Sequence, residues 1–414
     1  MKENFTISGE AVNDSLAGTL AVVEFLNTNY RFRYNVLSDK VEFLAKPSGK
    51  AERINLKVGS ADSQPAWRHL TEQAINSIIL KVRMEQIAKN SPKELINEYV
   101  NSEEIPVYDP IKEYLDNLPK WDGQNHVARL FSRIPGITSE QLEFLSVWIR
   151  SMVAHWRQMD LMHGNECVPV FIGAQGCGKT TFVLQLLPPM FRQYYMDHLN
   201  TANANDKNMT LTNNLLVNID EFDGLTPRQQ TILKQLLSVS MMNYRPIYGK
   251  TQKVLHRYAS FVATTNNPHP LTDVTGSRRY ICLTIPKGLF INNTGDIDYD
   301  QLFAQIMYEL NEQNAPYWFN NEQVARIQEL NLNYMAQKDI AEIISCCFRK
   351  PKEGEVVKAM NSQQMLEVIR NEYPSIKSDH STKVHLGLAM KELGYDHTKR
   401  GCVSYYKAVP VKVA

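Results

Sequence analysis

Gly173-Ala174-Gln175-Gly176-Cys177-Gly178-Lys179-Thr180 matches the pattern G-x-x-x-x-G-K-[ST] at every position. The flanking residues supply the context that pattern needs. Cys167-Val168-Pro169-Val170-Phe171-Ile172 reads as a buried strand, and Thr181 to Leu187 as the helix that follows. Glycines at these spacings let the chain wrap around phosphate oxygens, so that backbone N–H groups and the helix start face negative charge. The expected contacts to a nucleoside triphosphate are Gly173, Gln175, Gly176, Cys177, Gly178, Lys179, Thr180 and Thr181. Lys179 is placed to meet the β- and γ-phosphates, and the Thr180 hydroxyl to ligate Mg²⁺. The stretch therefore predicts an α/β fold, a parallel sheet flanked by helices, with ATP and Mg²⁺ as cofactors.

Hydrolysis needs more than a cradle, and the chain downstream offers it. Asn214 to Glu221 is an apolar strand ending in two carboxylates. Asp220 is expected to join the Mg²⁺ shell and Glu221 to act as general base on the attacking water. A third strand, Ser260 to Thr265, ends at Asn266, an amide suited to orienting that water without adding charge. Gly276-Ser277-Arg278-Arg279-Tyr280 then enters a fourth apolar run through Ile285. Arg278 and Arg279 suit a finger that neutralises transition-state charge.

Between the acidic strand and the Asn strand, Arg228 to Ser238 reads as a helix. Tyr244 to Arg257 then reads as a basic hairpin, with Gly249 at the turn. Its Arg245, Lys250, Lys253 and Arg257 are the candidate contacts to a nucleic-acid backbone, Lys250 and Lys253 foremost. Arg245 and Arg257, nearer the strand bases, also admit a structural role.

In this order the motifs resemble the superfamily 3 helicases of the AAA+-like branch, and more closely the virulence-associated protein E family of phages and mobile elements. Tyr108 to Leu115 followed by Lys120-Trp121-Asp122-Gly123 resembles that family's leading segment. Tyr244-Arg245-Pro246-Ile247-Tyr248-Gly249 and Gly276 to Tyr280 resemble two further stretches of it. One departure is Asn218, where the family commonly carries an acidic residue. The resemblance implies a homo-hexameric ring, an arginine reaching a neighbour's nucleotide, and a pore hairpin pulling single-stranded or forked DNA. It leaves open which of Arg278 and Arg279 crosses the boundary.

The rest of the chain bounds this reading. Its 414 residues suffice for two or three domains, and a formal net charge of +1 leaves nucleic-acid contact to local patches. The six cysteines show no zinc spacing, and no apolar run approaches a membrane span, so a cytoplasmic protein is expected. The expected organisation is an accessory region over 1–107, with a hairpin at Tyr30–Leu44, and an ATPase core over 108–290. A helical lid or linker follows over 291–352, with helices at 300–311 and 321–347, and then a winged-helix-like domain over 353–414. No primase-type carboxylates are apparent, so any primase is a separate partner.

Two function classes follow: an ATP-driven DNA helicase or translocase, and an initiator or regulatory switch ATPase that never unwinds processively. A metabolic kinase is disfavoured, since no lid with phosphate-binding arginines is apparent.

Overall fold

The computed structural model describes residues 14–46, 66–87, 92–159, 164–199, 209–244, 253–273, 276–336, 340–374, 376, 378, 380–401 and 403–411. The chain divides into two compact units, Met1–Pro119 with Thr212–Asn214, and Lys120–Leu211 with Leu215–Ala414.

In the first unit, helix α1 (Asp14–Asn29) runs straight into β1 (Tyr30–Asn35), which turns back as β2 (Lys40–Ala45). The predicted hairpin is there. Its turn is held by the Asn35 side chain, which accepts from the Leu37 and Ser38 amides, and by Asp39 at a positive φ of 52°. Two short strands, β3 (Arg68–His69) and β4 (Val107–Tyr108), complete a sheet of order β3-β2-β1-β4. Period-2 alternation sends Tyr30 and Phe32 of β1 to one face. There they pack with Phe43, with Leu26 of α1, with Ile78 and Val82 of α2 (Glu72–Met84), and with Ile96 of α3 (Lys93–Val100). Helix α4 (Pro110–Asp116) follows, capped by the Asp109 carboxylate.

The second unit is built on a five-stranded sheet. Its strands are β5 (Val168–Ile172), β6 (Tyr195–Met196), β7 (Leu216–Ile219), β10 (Ser260–Thr265) and β11 (Tyr280–Thr284). The order is β11-β5-β10-β7-β6, every pair parallel; counted along the chain, that is 5-1-4-3-2. Parallel neighbours require crossovers, and buried residues along β5, β7 and β10 match a sheet covered on both faces. Helix α5 (His126–Phe131) precedes α6 (Ser139–Trp156), which buries Leu145, Ile149, Met152, Val153 and Trp156 at helical spacing. A Thr138–Gln141 capping box starts α6, and the Gln141 amide donates to the Cys282 carbonyl of β11. Trp148 donates to the Cys167 carbonyl, anchoring the start of β5. Helix α7 (Lys179–Leu184) leaves the glycine loop, and α8 (Pro227–Leu237), with its own Thr226–Gln229 box, packs Leu233 and Leu237 into the sheet core.

Past β11, α9 (Tyr299–Asn311) forms as expected. The helix expected over 321–347 is two: α10 (Asn321–Asn331) and α11 (Ile340–Cys347). Helix α10 tightens into a 3₁₀ turn over Leu332–Tyr334, and the side-chain amide of Asn331, its last residue, donates to the carbonyls of Ser277 and Tyr280. The C-terminal segment has its own apolar cluster, including Ile344, Met365, Leu366, Ile369, Leu386, Met390 and Tyr406. It comprises β12 (Phe348–Arg349), β13 (Met360–Asn361), α12 (Ser362–Glu372), α13 (His380–Glu392) and the antiparallel pair β14 (His397–Arg400) and β15 (Val403–Tyr406).

Candidate nucleotide site

The glycine loop joins β5 to α7. Gly176 and Gly178 carry φ of +79° and +91°, a region where a side chain is strained. Gly178 is further constrained, because a Cβ there would lie 2.5 Å from the Asn293 amide nitrogen, which donates to the Gly178 carbonyl. The Ile291 amide donates to the Cys177 carbonyl, so the segment after β11 backs the loop. At Gly173 a Cβ would meet Cys177 Sγ at 3.0 Å and Ile285 at 3.1 Å.

Lys179 is buried, and its ammonium donates to the carbonyls of Gly173 (2.8 Å) and Ala174 (3.0 Å) and to Asn266 Oδ1 (2.9 Å). These acceptors are neutral, and no carboxylate pairs with it among the described residues. Its charge is therefore uncompensated locally. Parallel pairing of β5 with β10 and of β10 with β7 brings three strand ends to one edge: Thr265 lies opposite Ile172, and Ala263 opposite Ile219. The P-loop, Asn266 and Asp220 therefore meet there.

The carboxylates are oriented by residues that the sequence reading passed over. Thr264 Oγ1 donates to Asp220 Oδ1, and Thr265 Oγ1 donates to Asp223 Oδ1. Both threonines are buried at the tip of β10, and as neighbours on a strand they serve two different acids. The doublet Thr264-Thr265 ahead of Asn266 was the available signal. Glu221 is exposed and sits in the left-handed region at φ 50°, a conformation that costs a non-glycine residue about 1–2 kcal/mol. Phe222 behind it is buried against Tyr280, with ring centroids 5.0 Å apart.

Asn218 is fully buried in β7, beside the Tyr195 hydroxyl but outside hydrogen-bond geometry with it. Burial pushes the Tyr195 hydroxyl up to about 12. A carboxylate in place of Asn218 would be costly to desolvate there, which fits an amide at this position.

Thr180 and Thr181 are exposed at the start of α7, as are Gln175 and Asp220. A buried ammonium held by three neutral oxygens and the Cys177 sulfur, exposed hydroxyls and an acid at a nearby strand end suit a polyphosphate carrying a divalent cation. No cluster of three or more His, Cys, Asp or Glu able to hold a metal occurs among the described residues.

The arginine pair lies elsewhere. Gly276–Arg279 is a 3₁₀ turn feeding β11, and Tyr280 pairs with Val168. Arg278 and Arg279 are thus level with the start of β5, while the P-loop leaves its end. Cys167 and Gly173 are six residue steps apart, about 20 Å of strand. Neither arginine reaches the P-loop of its own chain. Arg278 is exposed; Arg279 is half-buried, with its Nε unpartnered. The turn is pinned by Asn331, itself buried, through its 2.7 Å bonds to Ser277 and Tyr280.

The basic hairpin forms from β8 (Met241–Tyr244) and β9 (Lys253–His256), with Tyr244 opposite Lys253. Arg245 and Lys250 lie outside the described residues, and Lys253 is described only as the first residue of β9. Arg257 corrects the sequence expectation. It is fully buried, and its guanidinium donates to five main-chain carbonyls: Ala259 (2.8 Å), Leu236 (3.0 Å), Leu237 (2.8 Å), Val239 (3.1 Å) and Asn165 (3.0 Å). It satisfies the end of α8 and is a packing residue, inaccessible to a phosphate backbone. No described helix is long and apolar enough to cross a membrane.

A family model described as the virulence-associated protein E-like domain matches residues 115–336, more than half of the chain. No curated protein matches. Among solved structures, two apo A-form structures of the NrS-1 C-terminal region are each 11% identical. Each alignment covers 95% of this chain and 99% of that chain, with TM-scores of 0.41 and 0.43. A Thermotoga maritima RuvB mutant is 14% identical over 70% of this chain and 96% of that chain, with a TM-score of 0.25. Likenesses this distant carry no argument about what this chain does.

Proposed function

This chain belongs to the virulence-associated protein E-like domain family, and we propose that it is an ATP-dependent DNA helicase or translocase acting in replication of a phage or mobile element. The observation that carries the reading is the shared strand edge, where Lys179 meets Asn266 at 2.9 Å beside the Thr264-held Asp220. Gly173, Gln175, Gly176, Cys177, Gly178 and Thr181 cradle the phosphates, and Lys179 exchanges its carbonyl acceptors for β- and γ-oxygens. Thr180 and Asp220 would hold Mg²⁺, which when bound would supply neutralisation of phosphate charge. Glu221 takes the proton of the attacking water while Asn266 orients it, and the γ-phosphoryl group leaves ADP.

Because Arg278 and Arg279 stand at the far edge of their own sheet, the finger acts on a neighbour's nucleotide. That supports a homo-oligomeric ring, a hexamer by family resemblance. Lys250 and Lys253, with Arg245, form the hairpin that tracks single-stranded or forked DNA. The four-part organisation 1–107, 108–290, 291–352 and 353–414 accompanies this reading, with a separate primase as partner and a cytoplasmic location. The C-terminal helices α12 and α13 with the β14–β15 hairpin, where Lys399 and Arg400 are exposed, form a winged-helix-like DNA reader. That feature also favours the second reading, an initiator or switch ATPase without processive unwinding.

ATP-dependent strand displacement on a forked DNA, with Lys179→Ala as the dead control, decides between them. Displacement lost in the variant is the expected result. Robust ATP hydrolysis without displacement leaves the switch, and no nucleotide binding refutes both.

A further inference from the structure

The four-stranded sheet of the N-terminal unit packs one face on α1, α2 and α3, and alternation places Arg31 and Arg33 of β1 on the other. Along β1 lies a pocket of about 500 Å³, within the range of small-ligand sites, lined from this face and, through Tyr30, Phe32 and Tyr99, from the helix-packed side as well. Its lining includes Arg31, Arg33, Lys46, Trp67, Tyr99 and Tyr108.

The Arg33 guanidinium is stacked between two rings, 4.1 Å from the Trp67 centroid and 3.4 Å from that of Tyr108. A 2.7 Å bond from Arg33 Nε to Glu42 fixes it. The strand register explains the assembly: Glu42 sits opposite Arg33, Trp67 leads into β3 beside β2, and Tyr108 lies on β4 beside β1. These planar groups are thus held by the sheet itself. Arg31 is exposed and has no ion-pair partner among the described residues. Lys46 donates to the Asn27 carbonyl at the rim. Glu104 and Glu113 also line the pocket. They suit the amino groups of a heterocycle and oppose more than one or two phosphates inside it.

We propose that this pocket takes an unpaired base of a single-stranded nucleic acid, stacked on the Trp67–Arg33–Tyr108 assembly, with its flanking phosphates on Arg31 and Lys46. A fixed aromatic platform beside cations is the arrangement by which single strands are held without base selection. The site is independent of the P-loop chemistry, so its failure leaves the ATPase reading untouched, and the converse holds.

The test uses the full chain without nucleotide and a fluorescent thymidine 12-mer carrying 5-iododeoxyuridine. Crosslinks are expected in peptides holding Trp67, Tyr99 or Tyr108. Stacking worth about 1–3 kcal/mol per base translates into a dissociation constant raised about tenfold by Trp67→Leu and restored by Trp67→Phe. Arg31→Glu, a change at an exposed side chain, raises it similarly and steepens nothing in the melting curve. Crosslinks found only in other peptides, with both variants binding within twofold of wild type, overturn the proposal. Equal displacement of the 12-mer by thymidine monophosphate at matched concentration also overturns it, in favour of a free-nucleotide site.

Discussion

Arg257→Lys separates a packing arginine from a DNA contact, because it keeps the charge and destroys the fork. The guanidinium satisfies five carbonyls contributed by Asn165, Leu236, Leu237, Val239 and Ala259. An ammonium has three donors, so at least two of the five carbonyls stay buried and unpaired. At about 1–3 kcal/mol for each orphaned group, the loss is about 2–6 kcal/mol. With about 2–4 °C of melting temperature per kcal/mol for domains of comparable size, that is a fall on the order of 10 °C. Thermal melting followed by circular dichroism reads this directly. Anisotropy with a labelled single strand, measured where both proteins are folded, should show unchanged affinity. A variant that melts with wild type yet binds DNA several-fold more weakly would refute the reasoning and return Arg257 to the nucleic-acid interface.

Two further outcomes follow from the same geometry. Thr264→Val keeps the β-branched shape and removes the hydroxyl that holds Asp220. Losing a charge-assisted bond of about 1.5–3 kcal/mol should lower ATP turnover tenfold or more with little change in KM, whereas Thr264→Ser retains most of it; equal loss in both variants counts against the assignment. The Cys167 thiol, fully buried, is pushed by burial from the usual 9.0 up to about 12. The folded state therefore holds this proton more tightly than the unfolded one, and this group's contribution to stability falls as pH rises from about 9 towards 12. At pH 9.5 iodoacetamide should label the exposed Cys346 in the native protein and Cys167 only after denaturant is added; mapping of modified peptides checks it.

How far the site was legible depended on how local each part is. The glycine loop is written within eight consecutive residues, since two positive φ values and a lysine folded back onto the loop's own carbonyls are needs of one short stretch. The strands before and after it follow from unbroken apolar runs, and their observed bounds fall within a residue or two of expectation. Asp220 and Asn266 stood out because each ends such a run. Thr264 and Thr265 did not, since their roles exist only once β10 lies beside β7 and puts them against acids more than forty residues earlier in the chain. The side-chain role of Asn331, which is helical as expected, was hidden for the same reason: its partners lie more than fifty residues away.

Arg257 and the arginine pair mark the boundary most clearly. By composition all three are cations near basic or catalytic motifs. Arg257 becomes a buried hub because the end of α8 must satisfy its last carbonyls, and no sequence spacing encodes which side chain will arrive there. Arg278 and Arg279 immediately precede β11, a strand parallel to β5, so they fall at the opposite edge from the P-loop, a consequence of strand direction and register. The sequence alone determined the phosphate-binding loop, the strand-borne acid and amide and the α/β class, because motif and periodicity act through neighbouring residues. Only the tertiary structure decided which oxygen meets which donor and which arginines stand away from their own glycine loop, because burial and pairing across the sheet are made by residues far apart in the chain.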